Sequence, residues 1–434
     1  MVGLTDLVVK ETAHLGGTIR APSSKSLTHR EFVAAALSDG RSEIRKALIC
    51  DDTLATVEAC RMLGAEITWM DEEAVEVQGR SKPLTPKEVI NCRDSGSTMR
   101  FLAPVCALPD GISVLTGGES LRKRPMQPIL DALRRLGVEC YSALRDGRPP
   151  LVVFGGGIEG GETSIRGDVS SQFISGLLFA APMAESDIDI VLSTPLESRP
   201  YVALTIDALR KHGVEVEVQP DYDGFHIPSG QTYFPVSHEI EGDYSSAAFI
   251  LAAAAITDSH VRVENLRVDS IQGDRAFVGL LEKTGVQVVV GMDFVEVQGV
   301  KGNMSPVDVD LRENPDLVPV CAALSCVAQG MSVIRGVERL RFKESDRITA
   351  LAQELRKLGA KVTVLDGAFE IEGQERLHGG ELDSHGDHRI AMACVVAALR
   401  AEGASVIGGA ECISKSYPDF VRDMISLGGK INER

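Results

Sequence analysis

Eight basic residues stand in or beside short polar segments: Lys25 and Arg30 in SSKSLTHR, Arg100 in DSGSTMR, Arg124 in RKRP, Lys343 and Arg347 in RFKESDR, Arg389 in DHRIAM and Lys415 in SKSYPDF. Guanidinium groups grip carboxylates and phosphates bidentately, and lysine adds a compact point charge. Together these residues could hold an anionic ligand. Several of the segments carry Ser or Asp where a helix would be capped, and Pro315 after Asn314 in NPDLV suits a first helical position. A helix N-terminus presents unpaired N–H groups and partial positive charge, which also favours anions. Taken singly, each start is as readily a plain cap with a solvated basic end, and Glu344 and Asp346 are open to ordinary ion pairs with Lys343 and Arg347. Six related starts with interleaved Lys and Arg favour an anion site. His388, beside Arg389, reads as a hydrogen-bonding or positioning residue rather than a metal ligand, and His29 and His385 are equally weak metal candidates. Trp69, the single tryptophan, reads as packing within a strand.

The elements that must position these residues recur. One helix ending appears six times, at Gly64, Gly137, Gly213, Gly285, Gly359 and Gly428, with intervals of 69 to 76 residues. Each glycine follows an amphipathic run and precedes a β-rich stretch, as a helix C-cap before a strand does. Second strands with alternating apolar and charged residues follow at 74–79, 294–299 and 369–373. An earlier helix opens each unit, at 23–30, 94–100, 168–173, 243–249, 314–318 and 387–392. The chain therefore reads as six α/β modules of about 70 residues, most simply packed as two domains of three. The expected division is 1–20 plus 241–434 for one domain and 21–240 for the other. The repeat alone leaves the allocation of the first strand, up to about Arg20, open.

Composition sets bounds on function. The 434 residues are 44% hydrophobic and 25% charged, as in a soluble globular protein, and no stretch approaches the length of a membrane span. The N-terminal stretch lacks the pattern of a secretory or transit leader, so a cytoplasmic location is expected. A net charge of −17 argues against non-specific nucleic-acid binding. Nine scattered cysteines without a CxxC pair indicate neither zinc nor a disulfide framework, and read as reduced core thiols.

Ten segments in order, SSKSLTHR, DSGSTMR, RKRP, GDVSSQF, ESRPY, EGDYSSAAFILAAAAI, NPDLVP, RFKESDR, GDHRIAM and SKSYPDF, span essentially the whole chain. They resemble the motifs of the 5-enolpyruvylshikimate-3-phosphate synthase family. The resemblance implies two inverse α/β domains, each of three βαβαββ units, with an active-site cleft between them. It implies transfer of the enolpyruvyl group of phosphoenolpyruvate to the 5-hydroxyl of shikimate 3-phosphate by a cytoplasmic monomer, with no metal or organic cofactor and no nucleic-acid or membrane partner. Lys25, Ser26, Arg30, Ser170, Ser171, Gln172, Ser198, Tyr201, Asp316 and Lys343 are the implied shikimate 3-phosphate contacts. Lys25, Gly96, Arg124, Gln172, Arg347, Arg389 and Lys415 are those implied for phosphoenolpyruvate. By the same resemblance Asp316 receives the hydroxyl proton, while Glu344 and Lys25 serve the proton transfers at C3.

The sequence departs from the family pattern at Asp94, where many members have Asn, at Ser97, where they have Thr, and at Arg339, where many have Asn. Gly96 is kept, and with it the resemblance implies sensitivity to glyphosate. UDP-N-acetylglucosamine enolpyruvyl transferase shares the sixfold fold but carries a reactive cysteine in the loop before its RP motif and an Asn after its first Lys. Here that loop is GGESLRKRP, and Ser26 follows Lys25. A non-catalytic relative would have lost Lys25, Arg124, Asp316, Glu344 or Arg389, and all are present. RNA 3'-phosphate cyclase uses related units, but the acidic charge opposes it.

Overall fold

The structure, a computed structural model, describes residues 5–71, 73–300 and 303–434. The chain divides into two compact units, one formed by the residues up to Ser23 with Glu241–Arg434, the other by Ser24–Ile240. Residues 1–4 of the expected 1–20 segment lie outside the described residues.

The unit Ser24–Ile240 is built around three helices, Lys25–Leu37, Gly96–Val105 and Ser171–Ala180, which are buried on nearly every face. Their C-terminal halves are apolar all round, as core helices are, while the polar residues gather toward their starts. Three amphipathic helices, Asp51–Met62, Gln127–Arg135 and Arg199–Lys211, and three four-stranded sheets surround them. Each sheet repeats one pattern, in which a strand pairs in parallel with the next and an antiparallel hairpin completes the edge. In one, Ile90–Asn91 runs parallel to Gly111–Thr116, which pairs antiparallel with Leu151–Gly155, flanked by Cys140–Ser142. In another, the parallel strand is recruited from the far end of the unit: Ser237–Glu239 pairs with Arg41–Arg45.

The other unit repeats the plan around Tyr244–Ile256, Val318–Ser325 and His388–Ala398, all of whose residues are buried. Alanine fills much of the first and third of these, so backbones and sheets approach closely without loss of packing density. Gly16–Arg20 runs parallel to His260–Glu264, and Leu7–Lys10 lies between Ala404–Gly408 and Ile431–Glu433, antiparallel to both. The first strands thus close sheets whose other members come from the last third of the sequence and its immediate approach.

Caps fall where the sequence places them. Ser24, Ser95, Ser170, Asp243 and Asp387 each accept a bond from a backbone N–H in the first turn. Asn314 differs. A 3-10 turn, Pro315–Leu317, intervenes before the helix, and the Asn314 amide donates to the buried Asp274 carboxylate instead of capping. The six repeat glycines all have φ between 78° and 101°, the left-handed conformation of a C-cap. Trp69 ends strand Glu66–Trp69 and packs partly buried against the core, and all nine cysteines are buried free thiols. Among the described residues no helix is long and apolar enough to cross a membrane, and no group of three or more His, Cys, Asp or Glu could hold a metal ion.

At Gly285, φ is 89° and an added Cβ would meet nothing within 4 Å, so this position isolates the backbone term. Gly285→Ala is expected to lower unfolding free energy by about 1–2 kcal/mol, and Gly285→Asn by less, in urea unfolding.

Candidate active site

In the unit Ser24–Ile240 the starts of the three buried helices carry most of the expected residues. Two guanidinium groups meet over the first residue of helix Gly96–Val105. A Cβ on Gly96 would lie 2.9 Å from Arg124 Nη1 and 3.1 Å from Arg100 Nη1. Both arginines are largely buried, and a helix N-terminus with two guanidinium groups beside it favours negative charge. Arg124 Nη2 donates to Ser120 Oγ at 3.2 Å. Arg100 donates to Gln172 Oε1 at 2.6 Å, and Gln172 Nε2 donates to Ser97 Oγ at 2.9 Å, which fixes the orientation of the Gln172 amide. Ser97, one of the departures, keeps its hydroxyl in this chain of bonds.

Lys25 donates to Asp52 Oδ2 at 3.0 Å, with both side chains mostly shielded. Arg30 is 2% exposed and already engaged: Nε donates to Thr205 Oγ1 at 2.8 Å, Nη1 to the Ser26 carbonyl and Nη2 to the Tyr201 carbonyl, each at 2.7 Å. It also lies over the Phe101 ring. The guanidinium thereby ties helix Lys25–Leu37 to helix Arg199–Lys211, which carries Tyr201. Ser198, buried at the start of that helix, has φ of 58°, a strained position for a residue with a side chain, and such strain concentrates at ligand sites. Ser170 is spent as a cap, and Ser171 is buried beside it. His29 bonds Thr56, and burial drives its pKa down to about 3, so it is neutral.

The second cluster lies wholly in the other unit. Asp316 receives Lys343 Nζ at 3.3 Å and Arg347 Nη1 at 3.0 Å on one oxygen, and Arg389 Nη2 at 3.1 Å on the other. Burial works against this carboxylate, but Arg389, Lys343 and Arg347 outweigh it and hold its pKa well below the ordinary range. Burial pulls the Lys343 pKa down, against the attraction of Asp316. Arg347, 1% exposed, is the hub. Nη2 donates to Glu344 at 2.6 Å, and Nε and Nη2 donate to the fully buried Asp387 at 2.7 and 3.1 Å. Burial disfavours the Arg347 charge, yet Asp387, Glu344 and Asp316 raise its pKa above the usual arginine value. Lys415 Nζ donates to the Gly386 carbonyl at 3.3 Å.

A model of the family described as EPSP synthase (3-phosphoshikimate 1-carboxyvinyltransferase) matches residues 9–424. This chain belongs to that family. Among its relatives, the 3-phosphoshikimate 1-carboxyvinyltransferase of Methanocaldococcus jannaschii is 41% identical over 98% of this chain and 99% of its own length. That of Methanothermobacter thermautotrophicus is 44% identical with the same coverage. Among solved structures, EPSP synthase from Acinetobacter baumannii is similar over the full length of both chains, with a TM-score of 0.82 and 27% identity. The enolpyruvyl transferase NikO of Streptomyces tendae shares the fold, with a TM-score of 0.79 at 20% identity over 99% of each chain.

Within this EPSP synthase family member, sequence reading passes over several residues that the geometry brings forward. Asp52 and Asp387 are the carboxylates that hold Lys25 and Arg347; both carry cap-like sequence signals that say nothing of a buried cation. Arg100 is visible as a basic residue at a helix start, but its role on Gln172 depends on the packing of two repeats. Of the other departures, Asp94 packs against Gly118, where an added Cβ would come 2.4 Å from Oδ1, and Arg339 donates to the Arg312 carbonyl at 2.7 Å.

The Asp316 pairing is linked to pH. A carboxyl whose folded pKa is depressed contributes stability above its ordinary value, about 4, and loses it as pH falls through the folded value. Asp316→Asn is expected to be less stable than the parent at pH 7 by on the order of 2 kcal/mol, with the two unfolding curves converging at acid pH.

Proposed function

We propose that this enzyme transfers the enolpyruvyl group of phosphoenolpyruvate to the 5-hydroxyl of shikimate 3-phosphate, releasing phosphate in the shikimate pathway to chorismate. The observation that carries the assignment of roles is a single carboxylate, Asp316, held by three cations at 3.0 to 3.3 Å. Both substrates bring phosphate and carboxylate groups that compete for such cations.

In the first step the 5-oxygen bonds to C2 of phosphoenolpyruvate and gives its proton to Asp316, while C3 takes a proton in a transfer served by Glu344 and Lys25. In the second, the C2–O bond to phosphate breaks and C3 returns a proton to that pair. Asp316 bonded to Lys343 and Arg389 is a weak base. Once substrate anions draw those cations away, two of its three compensating charges are lost and its proton affinity rises, as general-base work requires. Shikimate 3-phosphate is held by Lys25, Ser26, Arg30, Ser170, Ser171, Gln172, Ser198, Tyr201, Asp316 and Lys343, with Arg30 also setting the spacing of Ser26 and Tyr201. Phosphoenolpyruvate is held by Lys25, Arg124, Gln172, Arg347, Arg389 and Lys415 beside Gly96, with Arg347 also holding Glu344 and Asp316. The cations stabilise the negative charge on the departing phosphate. We infer a cytoplasmic monomer acting on small molecules, without nucleic-acid or membrane partners; the net charge of −17 supports the exclusion of nucleic acid.

Phosphate release is expected when the protein meets phosphoenolpyruvate with shikimate 3-phosphate. Release only with UDP-N-acetylglucosamine would move the assignment to the nucleotide-sugar transferase, and release with neither would remove it. Asp316→Asn should lower kcat by roughly 10²–10⁴-fold, the usual loss on removing a general base, and unimpaired turnover would exclude Asp316 from that role.

Lys343 yields a separate prediction. Its pKa is lowered by burial, so its charge is lost below the ordinary lysine value. The expected profile of kcat/KM for shikimate 3-phosphate falls at alkaline pH, and Lys343→Arg, which stays charged, moves that fall to higher pH.

A further inference from the structure

Helix Arg347–Lys357 holds the segment Asp383–Asp387 at two points. Arg347 takes one end, through Asp387. Glu354, two turns along on the same face, takes the other. Glu354 is fully buried, an expensive position for a carboxylate unless each oxygen is used. Both are used. Oε2 accepts the Asp383 backbone N–H at 2.9 Å and Lys357 Nζ at 2.7 Å, and Oε1 lies 2.9 Å from His385 Nε2, which calls for a proton on that nitrogen.

His385 is itself held in the left-handed region, at φ of 52°, with its N–H donating to Asp383 Oδ1 at 2.6 Å. A non-glycine residue keeps this conformation only where its surroundings impose it. The next carbonyl, on Gly386, receives Lys415 Nζ, and the next residue, Asp387, caps the helix that begins with His388 and Arg389. A shift of His385 therefore moves Lys415 and Arg389 together.

We propose that the Glu354–His385 pair is a positioning element for phosphoenolpyruvate binding, setting where the Gly386 carbonyl and the Arg389 helix start stand. The proposal rests on the assignment of Arg389 and Lys415 to that substrate. Neither Glu354 nor His385 touches substrate; they act through the segment they hold.

The test compares Glu354→Gln, His385→Ala and His385→Gln in steady-state kinetics with both substrates, alongside melting temperatures. Glu354→Gln and His385→Ala should raise KM for phosphoenolpyruvate roughly tenfold, the effect of losing a hydrogen bond to a charged group, while KM for shikimate 3-phosphate changes by less than about twofold. His385→Gln, whose amide can still donate to Glu354, should recover most of the loss. The proposal is overturned by unchanged phosphoenolpyruvate KM in Glu354→Gln, by both KM values rising together with a lowered melting temperature, or by His385→Gln behaving as the alanine variant does. A parent protein inactive with these substrates would instead remove the functional assignment beneath it.

Discussion

A guanidinium group removed from water must have its charge met on several sides, and Arg347 is almost wholly removed. Three carboxylates meet it, each from a different stretch of chain. Asp387 comes from the start of a buried helix, Glu344 from the turn preceding Arg347's own helix, and Asp316 from the 3-10 turn Pro315–Leu317. None can move without leaving a buried charge under-compensated, so the geometry of Glu344 and Asp316 is set before any ligand arrives. The arrangement trades part of Asp316's basicity for fixed position.

The two clusters solve the same problem by different means. Around Arg347, Lys343 and Arg389 the positive charge is balanced by resident carboxylates. Around Gly96 two arginines converge over a helix end. Gly96 has no side chain because a Cβ there would occupy the space between the two guanidinium groups.

Much of this was legible in the residues. Six glycines at near-constant spacing mark six C-caps, and all six have the positive φ that the pattern demands. Serine and aspartate at helix starts mark caps, and five of the six act so, because capping is decided within four residues of chain. What was not legible depends on contacts remote in sequence. Asn314 has the right type for a cap, but a buried carboxylate 40 residues earlier claims its amide. The protein partners of Arg30 and Arg347, from Thr205 and Tyr201 to Asp316 and Asp387, lie 31 to 175 residues away and leave no local signal. Glu354 gives no signal at all, since an amphipathic helix usually carries its glutamates outward.

The pairing of strand Leu7–Lys10 with strands from the end of the chain has a consequence for synthesis on the ribosome. The unit Ser24–Ile240 is one uninterrupted stretch, including Ser237–Glu239, the strand that closes its first sheet, so all its partners have emerged before most of the other unit exists. Leu7–Lys10 is made long before its neighbours Ala404–Gly408 and Ile431–Glu433. At about 5–20 residues per second, this apolar strand waits roughly 20–80 s without its partners. For that interval the nascent chain carries Leu7–Lys10 as an unpaired strand ahead of a folded insert, and that strand is the one exposed longest to mispairing.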